Sequence, residues 1–204
     1  MKLERHRKLT PKECRAKARR YIKSKEKQIP RRSARRRDDR SSILPMEFTL
    51  RDYSPSDLEA LYEIDRACYP RGIAYSRRML RWYISQRGSL CIVAQDTDAA
   101  APTILGFLIA HARQAEGYIV TIDVLKAQRR LGIGTALLQE TERRLAKMGV
   151  RYIGLQTATN NEAGVAFWQR HGYRHMGISP GYYLGRIDAY EMKKKLNTSK
   201  AKTD

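Results

Sequence analysis

Cysteine is scarce in this sequence, and the residues present are poorly spaced for a disulfide framework. The three cysteines, Cys14, Cys68 and Cys91, lie far apart and form no CxxC pair. Neither a disulfide-stabilised fold nor a cysteine zinc site is indicated. We therefore expect a reducing compartment, the cytoplasm, and no metal ion.

Long apolar runs are also missing. No apolar segment approaches the roughly 18 residues needed to cross a bilayer. The charged N-terminus is not followed by the apolar core of a secretory signal. We expect no membrane partner. An organelle transit peptide remains an alternative because the N-terminal region is rich in arginine, although its acidic residues argue against one.

Positive charge, by contrast, is abundant and unevenly placed. The 204 residues include 41 Lys and Arg against 21 Asp and Glu, a net charge of +20. Residues 1–42 hold 18 of the basic and 5 of the acidic side chains, a balance of +13. Residues 1–45 are predicted to form a disordered or partly helical arm, with a helix from Thr10 to about Gln28.

A basic arm of this kind has three interpretations. It is a solvated tail, a contact for RNA or the ribosome, or a segment upstream of a natural start at Met46. We expect a domain over residues 46–196 and a short tail over residues 197–204.

From Met46 the pattern becomes that of a packed α/β domain. The order β, α, α, β, β, β, α, β, α, β, with one further strand expected near Tyr173, predicts a mixed sheet with helices on its faces. The predicted strands are Phe48–Arg51, Leu90–Ala94, Ile104–Ala110, Tyr118–Leu125, Tyr152–Gln156 and Tyr182–Met192. The predicted helices follow Ser54 and Ser76 and span Gly132–Lys147 and Asn161–Arg170.

The segment between the strand ending near Leu125 and the helix starting near Gly132 has the features of an anion-binding loop. Arg129 and Arg130 add positive charge, and Gly132 and Gly134 let backbone amides at the helix N-terminus approach a diphosphate. No GK[ST] follows and the GxGxxG spacing is absent, so a Walker A loop and a dinucleotide fold are excluded. A glycine-rich helix start without a ligand is the alternative.

This segment resembles the acetyl-CoA pyrophosphate loop of the GNAT superfamily of N-acetyltransferases. Further resemblances follow in order along residues 46–196: Leu155 to Asn161, Ala166-Phe167-Trp168 and His171-Gly172-Tyr173. Tyr182-Tyr183 and Asp188 to Met192 resemble the ending of the branch that acetylates protein N-termini. That branch includes the bacterial ribosomal-protein alanine acetyltransferases and the eukaryotic N-alpha-acetyltransferase catalytic subunits.

The resemblance implies a GNAT fold and a cytoplasmic acyltransferase that uses acetyl-CoA as co-substrate. The acceptor it implies is the α-amine of a protein N-terminus, with ribosomal proteins as candidates. The implied cofactor contacts are Ile122, Asp123, Val124, Arg129, Arg130, Leu131, Gly132, Ile133, Gly134, Thr135, Asn161 and Trp168. The implied acceptor wall is Tyr69, Pro70, Tyr75, Tyr182 and Tyr183; ordinary helix and strand packing is the alternative for these tyrosines.

The chain departs from the family at the catalytic positions. Gln156 and Trp168 stand where the alanine acetyltransferases have a Glu and a Tyr, and neither side chain can exchange a proton as those do. Tyr118 is our candidate for the water-relayed base, with Trp168 orienting the sulfur. Asp123 is a second candidate, unless it is a strand residue that faces away.

Two other functions stay open at this point. In the first, the acceptor is a lysine side chain or a small amine. In the second, the protein is a catalytically weak acetyl-CoA-binding or RNA-associated protein. The departures at Gln156 and Trp168 motivate the second of these, and His111, His171 and His175 show no carboxylate partner in the sequence.

Overall fold

The periodic segments of the sequence fold into seven β-strands and four α-helices in the computed structural model, which describes residues 47–97 and 103–196. The strands are β1 Phe48–Asp52, β2 Ser89–Asp96, β3 Ile104–Arg113, β4 Glu116–Val124, β5 Tyr152–Ala158, β6 Arg174–Tyr183 and β7 Ile187–Lys195. The helices are α1 Leu58–Cys68, α2 Arg77–Ile84, α3 Ile133–Lys147 and α4 Glu162–Arg170. The predicted arm, with its helix, and the predicted tail lie outside the described residues.

The described residues form two compact units. The larger contains residues 47–70, 74–97, 103–155 and 193–196, and the smaller contains residues 71–73 and 156–192. Within the described part of the chain, no helix is both long and apolar enough to cross a bilayer.

The larger unit is built on β1 to β4, paired antiparallel in sequence order, with the start of β5 parallel to β4. Phe107 and Ile109 of β3 pack with Leu61 of α1 and Leu80 of α2. Side chains alternate along a strand, so Leu108 points to the opposite face, and α3 also lies against β3. The buried residues of α3, including Leu137 and Leu145, are at helical spacing.

The smaller unit contains the end of β5, α4, β7 and β6, with the strands in the order β5-β7-β6. Trp168 of α4 and Tyr173 are buried together, with ring centroids 5.2 Å apart. Because β5 contributes residues to both units, the strands make up the mixed seven-stranded sheet that the sequence predicted.

One predicted strand is wrong. The segment Tyr182–Met192 is not continuous: β6 ends at Tyr183, and β7 begins at Ile187. Leu184 and Gly185 have φ of 60° and 67°, left-handed values that reverse the chain between the strands. The further strand expected near Tyr173 is present and is β6.

The strand β4 has two irregularities. Ile109 pairs with Thr121 and Ala110 with Ile119, so Val120 is an extra residue, a β-bulge. The pairs between β4 and β5 run from Glu116–Tyr152 to Tyr118–Gly154 and end there, while β4 continues to Val124. Beyond Tyr118, therefore, the described β4 is paired with β3 and not with β5.

Candidate active site

The loop before α3 is shaped to expose backbone amides. Arg130 and Gly132 have φ of 68° and 88° on either side of Leu131. Alternation of left-handed and right-handed residues turns N–H groups into an anion-binding concavity. A Cβ built on Gly132 would meet no atom within 4 Å, so the space above this turn is open.

The first turn of α3 carries no charge of its own to offset the helix dipole. Gly132 is the N-cap, no side chain caps the helix, and the first turn contains no acidic residue. The amides of Ile133 and Gly134 have no acceptor within the helix. A bound anion would supply the negative charge that the first turn of α3 lacks. A diphosphate is such an anion.

Arg129 is oriented along the end of β4. Its Nε donates to the Val124 carbonyl at 3.0 Å, and its Nη2 lies 3.5 Å from the Cys68 sulfur. Cys68 in turn contacts the same carbonyl at 3.4 Å. The guanidinium therefore lies between the C-terminal end of β4 and α1, at the edge of the loop.

The end of β4 presents a backbone edge beside this loop. Burial alternates along this end of the strand: Thr121 and Asp123 are buried, whereas Ile122 and Val124 are half-buried. A strand edge without a partner strand offers a row of amides and carbonyls to an extended amide-containing chain. The pantetheine arm of CoA has that character, which fits the contacts expected of Ile122 to Val124.

Tyr118 is the last residue of β4 that pairs with β5, so the free edge of β4 begins after it. It pairs with His111 of β3, so both side chains point to the face that carries α1 and α2. The His111 Nε2 is 2.9 Å from the Tyr83 carbonyl, which can only accept, so Nε2 carries the proton. The half-buried Tyr118 thus has an imidazole as its cross-strand neighbour.

Asp123 faces the interior on the side of α1. It pairs with Phe107, whose ring belongs to the core under α1 and α2, and it is 1% exposed. Both carboxyl oxygens lie 3.1 Å from the Thr121 hydroxyl. Burial raises the pKa of Asp123, the charge of Asp65 adds to the shift, and hydrogen bonds from Thr121 and Tyr69 oppose it.

Two of the predicted wall tyrosines belong to this face. The Tyr69 side chain is half-buried and hydrogen-bonds to Asp123. The Tyr75 hydroxyl lies 3.5 Å from the carbonyl of the bulge residue Val120. Tyr75 also meets Tyr83 edge-on, with centroids 5.2 Å apart. Pro70, which follows Tyr69, is exposed.

The other predicted site residues lie in the smaller unit. Gln156 is half-buried on β5, and its backbone carbonyl accepts from the Tyr183 hydroxyl at 3.1 Å. Burial raises the pKa of Tyr183. The ring of Tyr182 lies edge-on to Tyr183 at 4.9 Å. This geometry gives Tyr183 a fixed orientation within the unit.

Asn161 and Trp168 belong to α4. The Asn161 side chain accepts from the Gly164 amide at 3.1 Å and caps the helix. Trp168 is 5% exposed and packs edge-on against Phe167 at 5.0 Å. Both residues have a structural role that is independent of any ligand.

Residues 58–173 match the acetyltransferase (GNAT) family, and these are more than half of the 204 residues. The chain belongs to the GNAT family. The matched segment runs from α1 through the loop before α3 and ends after α4, at Tyr173.

Relatives of this GNAT protein carry acetyltransferase names. It is 30% identical over 152 residues to an uncharacterized N-acetyltransferase of Methanocaldococcus jannaschii, covering 74% of this chain and 94% of the relative. It is 29% identical over 117 residues to N-alpha-acetyltransferase 30 of Schizosaccharomyces pombe, covering 57% of this chain and 78% of the relative. The resemblance in the sequence is therefore confirmed, and the protein is an N-acetyltransferase.

Solved structures confirm the GNAT fold. The ribosomal-protein-S18-alanine N-acetyltransferase from Escherichia coli superposes with a TM-score of 0.66 at 24% identity, covering 74% of this chain and 94% of the other. NAA60 of Arabidopsis thaliana in complex with acetyl-CoA superposes with a TM-score of 0.67 at 21% identity, covering 74% of this chain and 99% of the other.

Two residues of this GNAT domain were not identified by sequence reasoning as part of a site. Asp65 is fully buried on α1, and burial raises its pKa to about 7. The sequence feature that could have identified Asp65 is its position four residues after the core residue Leu61, where an apolar side chain is expected. His111 lacked a visible carboxylate partner in the sequence, and its position opposite Tyr118 depends on strand register.

Proposed function

We propose that this GNAT N-acetyltransferase transfers the acetyl group of acetyl-CoA to the α-amine of a protein N-terminus. The observation that carries the acetyl-CoA part is the loop from Arg129 to Gly134, where exposed amides and an uncompensated helix N-terminus adjoin the edge of β4. The acceptor is supported by the N-alpha-acetyltransferase name of the fission yeast relative and by the Tyr182-Tyr183 ending.

Acetyl-CoA supplies an acetyl thioester and a thiolate leaving group, so the protein must bind and orient it and manage protons. The residues present fit the group. The loop offers amides and arginines to phosphates, and β4 offers a backbone edge to the pantetheine amides. Trp168 stays a proposal for orienting the sulfur, and Asn161 stays a proposal for a cofactor contact.

Tyr118 is the proposed base for the proton that the amine nitrogen loses as its new bond to carbon forms. Its position as the last residue of β4 that pairs with β5 and its half-buried side chain support this role. A phenol acts here through a water, because its hydroxyl can accept one hydrogen bond while donating another. Gln156 is excluded as a base by its amide chemistry, and its role stays a proposal for positioning.

The direct test is incubation of the full chain with acetyl-CoA and a panel of N-terminal hexapeptides. We expect stoichiometric release of CoA thiol and a mass increase on the α-amine, located by fragmentation. The matched control is each peptide with a blocked α-amine and a free internal lysine, which should release no CoA.

Three other results would each contradict part of the proposal. Turnover of the blocked peptides would make lysine the acceptor. Turnover of spermidine or an aminoglycoside with silence on every peptide would make the acceptor a small amine. Thermal stabilisation by acetyl-CoA without any turnover would make the protein a binding domain rather than an active enzyme.

The basic arm is proposed as a contact for RNA, for which its charge of +13 over residues 1–42 is the support. Deleting these residues should abolish binding to single-stranded RNA at moderate salt. At low salt, where residual binding can be measured, the deletion should also lower the slope of log affinity against log salt by several units, since each phosphate contact contributes roughly 0.7. A slope unaffected by the deletion would contradict the role, and peptide acetylation by the same variant reports on its folding.

A further inference from the structure

Two buried carboxyl groups lie together beneath the end of β4. Asp65 of α1 is 0% exposed and Asp123 of β4 is 1% exposed, α1 packs against β4, and the charge of Asp65 raises the pKa of Asp123. Asp65 Oδ2 accepts from the Tyr75 amide at 2.6 Å. Its other oxygen, Oδ1, is buried and has no hydrogen-bond partner among the described residues.

The surroundings of the pair do not neutralise two negative charges. Thr121 donates to Asp123 from β4, and Tyr69 donates to it from the segment after α1. Arg129 attracts Asp123 from the loop, yet its hydrogen bonds go to Val124 and Cys68. Within the described part of the chain, no Lys, Arg or His nitrogen forms an ion pair with either carboxyl.

Two adjacent carboxylates without a paired cation cannot both be ionised at neutral pH, because each charge opposes the other in a medium that screens poorly. One proton on Asp65 relieves the repulsion and removes the charge from its partnerless Oδ1, while Asp123, which accepts from the Thr121 and Tyr69 hydroxyls, stays ionised. The resting pair therefore carries about one negative charge.

Tyr69 is less buried than the pair that it contacts. Its side chain is half-buried, while the carboxyl it hydrogen-bonds is almost fully buried. A hydroxyl that donates to a carboxylate can pass that proton inward and accept another from outside.

We propose that the Asp65–Asp123 pair takes up the proton that the acceptor ammonium loses on binding, through the Tyr69 hydroxyl. The inference rests on the proposed function, since it requires an amine acceptor. It is distinct from the role of Tyr118, because an ammonium loses two protons in each transfer. The pair takes the one lost before attack, and Tyr118 the one lost during attack.

The N–H bond of the ammonium breaks and its proton joins the Tyr69 oxygen, while the Tyr69 proton moves to the Asp123 carboxylate. The amine is left neutral with its lone pair free, Tyr69 is unchanged, and the pair becomes neutral. After transfer, the proton returns by the same path to the departing thiolate or to water.

The expected size of the effect follows from the acceptor. An α-ammonium with a pKa near 8 is about nine-tenths protonated at pH 7, so a built-in proton acceptor is worth about tenfold there and nothing well above pH 8. Asp123→Asn and Tyr69→Phe should each lower kcat/KM for a peptide about tenfold at pH 7 and leave it within about twofold at pH 9.

Tyr69→Phe is the decisive variant, because it keeps the ring and both carboxyls. Tyr62→Phe on α1, the helix that precedes Tyr69, is the matched control and should leave the whole pH profile unchanged. A pH profile of Tyr69→Phe that matches the wild type overturns the proposal. A loss of kcat/KM in Asp123→Asn but not in Tyr69→Phe also overturns it, because the pair would then only support the fold. Absence of peptide turnover in the wild type would instead overturn the proposed function.

A second measurement separates proton uptake from simple folding defects. The raised pKa values mean that the folded chain holds protons which the unfolded chain releases above about pH 4, so stability falls as pH rises toward 8. Asp123→Asn should flatten this fall in thermal melts and still bind CoA as the wild type does. An unchanged slope would show that Asp123 takes no part in proton uptake by the pair near neutral pH and would overturn the proposal.

Discussion

Replacing Gly134 by aspartate should weaken acetyl-CoA binding at least about a hundredfold without lowering the thermal stability of the protein. Gly134 lies in the first turn of α3, a turn that contains no acidic residue. A carboxylate there would occupy the positive end of the helix and repel a diphosphate. Two charges about 4 Å apart near a protein surface interact by roughly 4 kcal/mol, and a hundredfold loss corresponds to about 2.7 kcal/mol.

The stability of this variant is expected to stay equal or to rise. Glycine is a poorer helix former than aspartate by only a few tenths of a kcal/mol, roughly, and an acidic residue in the first turn gains about 0.3–1 kcal/mol from the dipole. We therefore expect the variant to be at least as stable as the wild type. In that case a loss of binding cannot be attributed to unfolding. Titration calorimetry with CoA and a thermal melt measure the two quantities.

Two further variants isolate the charge at Gly134. Gln139→Asp places the same charge on an exposed position farther along the same helix and should leave the affinity unchanged. Gly134→Ala adds a Cβ without the charge and should lose far less than the aspartate. Affinity of Gly134→Asp within threefold of the wild type would mean that no phosphate binds at this turn, and the acetyl-CoA part of the proposal would fail.

Changing Tyr118 to phenylalanine should lower kcat about a hundredfold and leave the affinity for acetyl-CoA unchanged. The substitution removes one hydroxyl, and a positioned base of this kind contributes about 10²–10⁴ in rate. The pairs of Tyr118 with His111 and Gly154 are made by the backbone, so the sheet is kept. Steady-state assays with the best peptide substrate give kcat, and titration calorimetry gives the affinity for acetyl-CoA.

Tyr152→Phe is the matched control for this experiment. Tyr152 is the neighbouring tyrosine on β5, pairs with Glu116, and has Lys193 over its ring at 4.9 Å. Its hydroxyl has no proposed role in transfer, so kcat should not change. An unchanged kcat in Tyr118→Phe itself would remove Tyr118 from the mechanism and direct attention to its cross-strand neighbour His111.

Most elements of the fold were predictable because their signals are local. The Ser76 side chain accepts from the Met79 amide and starts α2 where the sequence indicated a cap. Gly149, with φ of 86°, follows the end of α3. The strand Tyr182–Met192 was predicted wrongly for an equally local reason. Leu184 adopts a left-handed φ of 60° that its residue type does not signal.

The candidate site was predictable in its chemistry and less so in its geometry. The glycines and arginines from Arg129 to Gly134 indicated an anion-binding loop, since that property depends on neighbouring backbone groups. The orientation of Asp123 was left open between the site and the far side of the strand. The structure directs it inward toward α1, because the register of β4 against β3 decides which face each side chain occupies.

The sequence by itself determined the family, the order of the elements and the loop that precedes α3, because each rests on residues close together in the chain. The tertiary structure alone decided that the β4–β5 pairing ends at Tyr118, that Val120 bulges, and that Asp65 and Asp123 are buried together. These features arise from strand register and from the packing of α1 on the sheet. Both depend on contacts between distant parts of the chain, which no local pattern records.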